Sequence, residues 1–473
     1  MKNIFLIPIC LLLILAGCRL GPTYTKPPVY VPENWKALAC EVPAPIVCNW
    51  WEVFSDPVLN GLEWQAVENN PNLGIAVQRV VEARALAEVS GAALYPQLTI
   101  NPLYTNTGQL FKIFVPNGLV PAGSNIPSVF RIHQFQYFLP INLNYEVDLW
   151  GKIRNQYDSA LYNFEASVWD FRAAMLTLTS DLASTYFQLR GLDTQIEVLN
   201  NTLELRKKEL SLAESRYTKG IATRQDYTSA EVNLANAQTS LFDAQRIRTL
   251  QENMIATLLG MPASLFCLPS NPLKELPPEI PAGIPSQIML QRPDIAEADW
   301  QAASENALIG AAYADFFPTL NLSALSGYSS PDLKHFLAHK SRYWQFGASS
   351  SQMVFDGGRD EGNLEAAWAR FRQASFNYQQ VVLTAFQEVE DALNNLEYQA
   401  KEHKSLMVAV RASRETSSLS LLRYRQGITN YLEVTVNDRI RLEAELNYAS
   451  TLSQQYVSTV QLIKALGGAW GCN

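Results

Sequence analysis

The sequence predicts a mainly α-helical chain that lends a few strands to a transmembrane β-barrel closed by several copies. Three observations carry this reading: an internal repeat, stretches of period-two alternation, and two very long proline-free heptad stretches. The chain has 473 residues, of which 48% are hydrophobic and 17% charged, with a net charge of −8. That composition argues against disorder and against a nucleic-acid binder, and the net charge agrees, since a polyanion partner would need a basic face. An aromatic share of 11% suits a protein with a water–lipid boundary, and a large soluble core could also use it.

The N-terminus "MKNIFLIPICLLLILAGC" carries one Lys and then an apolar run, Ile4 to Leu15. The run is too short for a comfortable membrane span and has the shape of an export signal, residues 1–17. "LAGC" at 15–18 resembles a bacterial lipobox, which makes Cys18 the acylated first residue of the mature chain. Arg19 follows it, so no retention Asp is present. Several acyl chains on one Cys give lasting attachment where a single chain does not. Residues 18–54 read as a lipidated extended segment. Loss of Lys2 with the signal leaves 37 − 1 = 36 basic against 45 acidic residues, a net charge of −9. Cys40, Cys48, Cys267 and Cys472 remain besides Cys18. An exported compartment permits pairing, and Cys40–Cys48 would make a short loop. Cys267 and Cys472 each follow a matching helix end, and no C-x-x-C suggests zinc or redox chemistry.

"RYTKGI" at 216–221 returns as "RYRQGI" at 423–428, an offset of 423 − 216 = 207. "LLG" at 258 and "ALG" at 465 keep that offset. Upstream, "NPNL" at 70 matches "RPDI" at 292, and "YPQLTI" at 95 matches "FPTLNL" at 317, both at 222. The first copy therefore holds 222 − 207 = 15 extra residues, expected in a loop between YPQL and DLWG.

Each copy reads as helix, strand pair and long helical hairpin. Repeat 1 covers 55–260, with a first helix from about Asp56 to Leu94, strands at about 95–150 and a hairpin at about 152–260. A Pro-rich linker, 261–287, leads to repeat 2 at 288–468, with strands at about 317–357 and a hairpin at about 359–468. Residues 469–473 form a tail. In "HQFQYFLPINLNYEVD" (133–148) Phe135, Tyr137, Leu139, Ile141, Leu143, Tyr145 and Val147 share one face, and mostly polar residues the other. A half-buried soluble sheet gives the same alternation, so the helices decide. Leu161, Phe164, Val168, Phe171, Met175, Leu178 and Leu182 step by three and four, continued by Leu192, Ile196, Leu199 and Leu203. The second copy repeats the seam with Trp368, Phe371, Tyr378, Val382 and Val389, broken by Ser375, Gln399 and His403. A helix of about 65 residues is about 100 Å long. Such rods wall a coiled-coil assembly. Gly220 and Gly427 then end the long helices at two equivalent hairpin tips.

Two strands per copy make four per chain, too few to enclose a channel. Open strand edges cannot face lipid, so several chains must join; three would give twelve strands. This architecture resembles the outer membrane factor family, TolC-like, in its NodT lipoprotein branch. The residues that carry the resemblance are "LAGC", "WWEVFSDPVLNGLEWQAVENNPNL", "LQRPDIAEADWQAASENALIGAAYADFFPTLNLS", "DLWGK", "FDGGR" and both RY-x-x-G tips, spanning nearly the whole mature chain. The resemblance implies a TolC-like fold: a trimeric 12-stranded barrel continued by a long periplasmic α-helical barrel. It also implies a passive duct that carries drugs or other small molecules across the outer membrane. The partners it implies are a periplasmic membrane-fusion adaptor and an inner-membrane pump of RND type. It is similar to ducts closed at the periplasmic end until the adaptor engages.

Carried over by position, Arg216, Tyr217, Gly220, Arg423, Tyr424 and Gly427 match the adaptor-facing tips. Leu432 matches an apolar closure position. Four residues on, where members commonly place Asp, this chain has Val436, so Asp226, Glu433 or Asp438 is expected to supply charge to the lumen. Two other readings remain: the exit duct of a type I protein secretion system, and a periplasmic coiled-coil lipoprotein without a channel. No enzyme constellation is present, since H-E-x-x-H, G-x-S-x-G and a phosphate-cradling loop are all missing. His335 and His339 have helical spacing but too few companions for a metal, and no cofactor is expected.

Overall fold

The computed structural model describes residues 19–32, 35–36, 49–112, 129–280 and 291–468. The expected lipidation site Cys18 lies outside them, as do Cys40, Cys48 and Cys472; Cys267 is exposed. The elements in order are α1 (Pro57–Asn69), α2 (Pro71–Ala92), β1 (Gln97–Ile100), β2 (Leu103–Lys112), β3 (Val129–Val147), α3 (Lys152–Thr218) and α4 (Arg224–Leu258). They continue with α5 (Pro293–Ala314), β4 (Thr319–Ser330), β5 (Arg342–Ser351), α6 (Arg359–Arg425) and α7 (Tyr431–Ala465).

The repeat is kept to the residue. α3 and α6 have 67 residues each, and α4 and α7 have 35 each. α6 begins 359 − 152 = 207 residues after α3, and α7 begins 431 − 224 = 207 after α4. α5 begins 293 − 71 = 222 after α2, so the extra residues of the first copy lie between α2 and α3. There β3 runs to 19 residues against 10 for β5.

Two expectations need correction. The single first helix from Asp56 to Leu94 is two helices, broken at Asn70. The ring of Pro71 disfavours helical geometry in the residue before it, and Asn70 is extended at φ −69°, ψ 122°. Its Oδ1 accepts from the Asn72 and Leu73 N–H groups at 2.8 and 3.2 Å, which caps α2. The first strand is likewise split into β1 and β2 around Pro102, but both pieces pair with β3, so four strand rows remain.

Among the described residues, one compact unit comprises 19–26, 83–112, 129–164 and 301–374, and contains the whole antiparallel sheet. Over β1, the later half of β3, and most of β4 and β5, its register sorts most side chains onto two faces. Leu98, Ile100 and Tyr104 face Leu143, Ile141 and Tyr137, while Leu320, Leu322 and Ala324 face Val147, Tyr145 and Leu143. β5 adds Ala348, Phe346 and Trp344 to that apolar surface, the last two 76% and 73% exposed. The reverse face carries Gln97, Thr99, Asn142, Asn144, Asn321, Ser323, Ser349 and Ser351, with Leu103, Leu325 and the stacked Phe138–Tyr343 pair as apolar exceptions. Among the described residues the β1/β2 row pairs only with β3, and β5 only with β4, so both edges are open. No described helix is long and apolar enough to cross a membrane. Residues 19–22 are pinned beside the sheet: the Leu20 N–H donates to Trp150 O at 3.0 Å, and Asn155 Nδ2 donates to Leu20 O at 2.9 Å.

The second unit comprises, among the described residues, 27–32, 35–36, 49–82, 165–280, 291–300 and 375–468. Its core joins Leu59, Leu182, Tyr186, Leu189, Ile255 and Ile463, with Tyr378, Val382, Val389 and Leu462 in a neighbouring cluster. The heptad seam then continues in polar residues. In α3, Thr202, Arg206, Glu209 and Ala213 are buried at spacings of 4, 3 and 4; in α6, Ser413, Ser417, Ser420 and Tyr424 are buried at the same spacings. The Pro-rich linker is held by charges, because a chain poor in N–H donors leaves carbonyls that need partners. Arg190 Nη1 donates to Pro269 O at 2.6 Å and Arg248 Nη2 to Leu268 O at 2.7 Å; Asp193 accepts from the Asn271 N–H at 2.9 Å. The matching motifs NPNL and RPDI have one job. Asn70 Nδ2 donates to Leu258 O at 2.7 Å, and Arg292 Nη1 donates to Ala465 O at 2.9 Å, carbonyls 465 − 258 = 207 apart.

Candidate functional site

Both hairpin tips close by the same backbone device. Gly220 (φ 70°) and Gly427 (φ 78°) take the left-handed conformation that ends α3 and α6. The Ile221 N–H donates to Arg216 O at 2.8 Å and that of Ile428 to Arg423 O at 2.9 Å, which satisfies carbonyls left over at each helix end. The returning helices start on caps, too. Thr223 and Asp226 cap each other reciprocally at 3.2 Å, and Asn430 accepts from the Glu433 N–H at 3.2 Å.

The side chains at the tips differ. Arg216 crosses to the second hairpin: its Nη1 donates to Tyr424 O at 2.5 Å, and its guanidinium lies 4.7 Å over the Tyr424 ring. Tyr424 is 3% exposed and packs with Ala213, Ala230, Tyr431 and Val434. Burial, then the Asp226 charge, pushes its hydroxyl up from the usual phenol range. Tyr217 instead stays outside, stacked on Tyr227 at 5.9 Å. Arg423 stays on its own hairpin and pairs with Glu433 at 2.7 Å.

The residues expected at the gate separate into three environments. Leu432 is 66% exposed, and Val436 is exposed one turn further along α7. Asp226 and Leu432 line one cleft of about 310 Å³ between α4 and α7, with Gln225, Val232, Asn233 and Tyr431. Glu433 is held by Arg423 and the Thr429 hydroxyl. Asp438 departs from the expectation of a charge offered to water. It is 1% exposed, because Arg206 Nη1 meets its Oδ2 at 3.0 Å and the Ser417 hydroxyl donates to its Oδ1.

The buried charges that meet Asp438 are residues the sequence reading passed over. Arg206 also holds Glu209 Oε2 at 2.8 Å, and the Tyr431 hydroxyl donates to that oxygen at 3.3 Å. Burial, then the Glu209 charge, pushes the Tyr431 hydroxyl up to about 12. One signal was available: extending the α3 seam in phase past Leu203 lands on Arg206. His335 and His339 stand in two short 3₁₀ turns between β4 and β5, where His335 Nδ1 meets Asp332 Oδ2 at 2.8 Å. Among the described residues no group of three or more His, Cys, Asp or Glu is arranged to hold a metal ion.

This combination of a strand-bearing unit and capped hairpins has close counterparts. A model of the family described as outer membrane efflux protein matches residues 64–261 and 284–468. Outer membrane protein OprJ of Pseudomonas aeruginosa is 30% identical over 462 residues, covering 97% of this chain and 94% of OprJ. The solvent efflux pump outer membrane protein SrpC of Pseudomonas putida is 31% identical over 479 residues, covering 98% of each chain. Among solved structures, the outer-membrane channel OprN aligns with a TM-score of 0.87 at 28% identity, over 96% of this chain and all of its own. The open state of the Neisseria gonorrhoeae MtrE outer membrane channel aligns at 0.82 and 28%, over 96% and 98%. A sheet with one lipid-like face, long paired rods and a family match along both repeats lead to one conclusion: the chain belongs to the outer membrane efflux protein family.

Proposed function

We propose that this outer membrane efflux protein works as a passive trimeric duct, which takes small molecules from a periplasmic adaptor and an inner-membrane pump of RND type to the exterior. One observation carries the reading. Four strand rows with an apolar face, a polar face and two open edges cannot persist in lipid alone, because unpaired backbone groups there cost several kcal/mol each. Three copies, edge to edge, satisfy every row, give an even twelve strands and turn the polar faces onto water. The solvent efflux pump named for SrpC supports small molecules over secreted protein as the load.

Within this reading Arg216, Tyr217, Gly220, Arg423, Tyr424 and Gly427 form the adaptor-facing tips, and Leu432 and Val436 form an apolar closure. Asp226 and Glu433 supply charge at its rim. Cys18 carries the acyl anchor on the periplasmic side, after removal of 1–17. Repeat 1 (55–260) and repeat 2 (288–468), joined by 261–287, each give one strand pair and one hairpin. The duct does no chemistry and needs no cofactor. Native mass spectrometry of the detergent-purified protein, with planar-bilayer recording, tests the proposal. A trimer with discrete conductance is expected; a stable monomer without conductance would overturn it.

A further inference from the structure

Behind the tips, the buried charges on the hairpin seam serve neither docking nor closure. Arg206 and Glu209 on α3 and Asp438 on α7 have side chains no more than 6% exposed. A single nitrogen, Arg206 Nη1, reaches both carboxylates, at 2.8 Å from Glu209 Oε2 and 3.0 Å from Asp438 Oδ2, so the two carboxyl groups are immediate neighbours. Both α6 and α7 add facing groups. Tyr431 on α7 donates to Glu209, Ser417 on α6 donates to Asp438, and Arg441 on α7 stands 3.9 Å from Asp438 Oδ1, too far for a hydrogen bond. Glu209 Oε1 is buried and accepts from no donor among the described residues. If both carboxyls are ionised, they share one arginine in hydrogen-bond contact, Arg441 answers Asp438 alone from 3.9 Å, and a charged Glu209 oxygen is left orphaned. A proton on Glu209 removes one charge and turns that oxygen into a donor.

We propose that the Glu209–Asp438 pair is a proton-operated latch between the two helical hairpins, closed while the pair holds one proton and eased when both carboxyls ionise. The proton comes from and returns to water, so no other reactant is needed. Burial, then the Asp438 carboxyl, pushes Glu209 up to about 7 against the opposing pull of Arg206. Once the hairpins part, Glu209 meets water and returns towards its ordinary 4.5. The latched state therefore holds more protons between those two values. Its advantage is complete below the window and is lost as pH rises through it. Each pH unit inside the window shifts the ratio of latched to unlatched hairpins by up to about tenfold. The effect on flow rests on the closure reading above; the latch itself does not.

The test uses the full chain in lipid vesicles, with hydrogen exchange of residues 203–216 followed at about pH 5 and 7.5 and corrected for the intrinsic pH dependence of exchange. Exchange at the higher pH should be at least about tenfold faster in the native protein. Glu209→Gln stays neutral and keeps a donor, so it should exchange slowly at both. Asp438→Asn, which leaves one carboxyl on Arg206, should also lose the pH dependence. A native protein without the excess change, or Glu209→Gln with the change intact, would overturn the latch. Bilayer conductance recorded in parallel separates the two readings: exchange that responds while conductance stays flat keeps the latch and removes the gate.

Discussion

At one tip Tyr217 lies outside, stacked on Tyr227; at the other, Tyr424 lies inside, under the guanidinium of Arg216. The backbones of the two turns match, yet their side chains do opposite things. Arg216 spends its donors on the neighbouring hairpin, whereas Arg423, its equivalent by 423 − 216 = 207, stays at home with Glu433. Higher up the rods the same holds: Arg206 is buried with two acids, and its equivalent is Ser413. Helix caps are local, so a duplicated sequence keeps them in both copies. Contact between the copies is not local, and two hairpins that meet cannot both fill the same gap. Symmetry survives in the turns and is broken in the packing.

The strongest way to break the comparison is at the seam. Arg206→Met should cost about 3–5 kcal/mol, since it strands two buried acids. Ser413→Ala should cost no more than about 1 kcal/mol. Denaturant unfolding of the purified channel, followed by far-UV circular dichroism, checks both; equal losses would mean that the seam is symmetric after all. At the tips the contrast is smaller. Arg216→Ala should lose about 2–3 kcal/mol through its charged hydrogen bond and ring contact. Arg423→Ala, which gives up a half-exposed pair, should lose less than about 1 kcal/mol. Protease cutting within 216–228 and 423–433 reads each tip separately.

The smallest effect sharpens the comparison further along α6. His403 stands where the first copy has Ile196, buried against Tyr448 with Nε2 unpartnered among the described residues. Burial holds its pKa below the usual value of 6.5, so the unfolded chain binds the extra proton first and stability falls as pH drops through that range. His403→Ile should add about 1 kcal/mol at neutral pH and flatten the loss at acid pH. Thermal unfolding at about pH 5 and 7.5 would show it. This trend opposes that of Glu209, so Glu209→Gln and His403→Ile, measured singly, tell the two apart.

Sequence periodicity carried most of the architecture. The 207-residue offset, the alternation in β3 and the RY-x-x-G turns are local signals, and the elements they imply are present with matched bounds. Two breaks were missed although prolines mark both, because helical and strand periodicity run on across Pro71 and Pro102. The buried Arg206 and Glu209 were hidden for another reason. A charged residue on a long helix reads as solvated, and only its heptad phase, together with the small Ser417 and Ser420 of the second rod, shows that it turns inward. Asp438 misled the same way: proximity to a tip in sequence gave it a wet position, whereas its partner lies 232 residues away.

The equality of the two rods has a consequence for how such a chain can change. Removing one residue from α3 alone would draw its tip up by about 1.5 Å and turn every later side chain by about 100°. Arg216 would then miss the carbonyl it now reaches at 2.5 Å, and the seam would present the wrong stripe. Length drift in either rod is therefore forbidden unless the sister rod drifts in step, while the strand region has absorbed 15 residues on one side only. The rods act as paired gauges, and inheritance can edit the chain freely only where nothing is being measured.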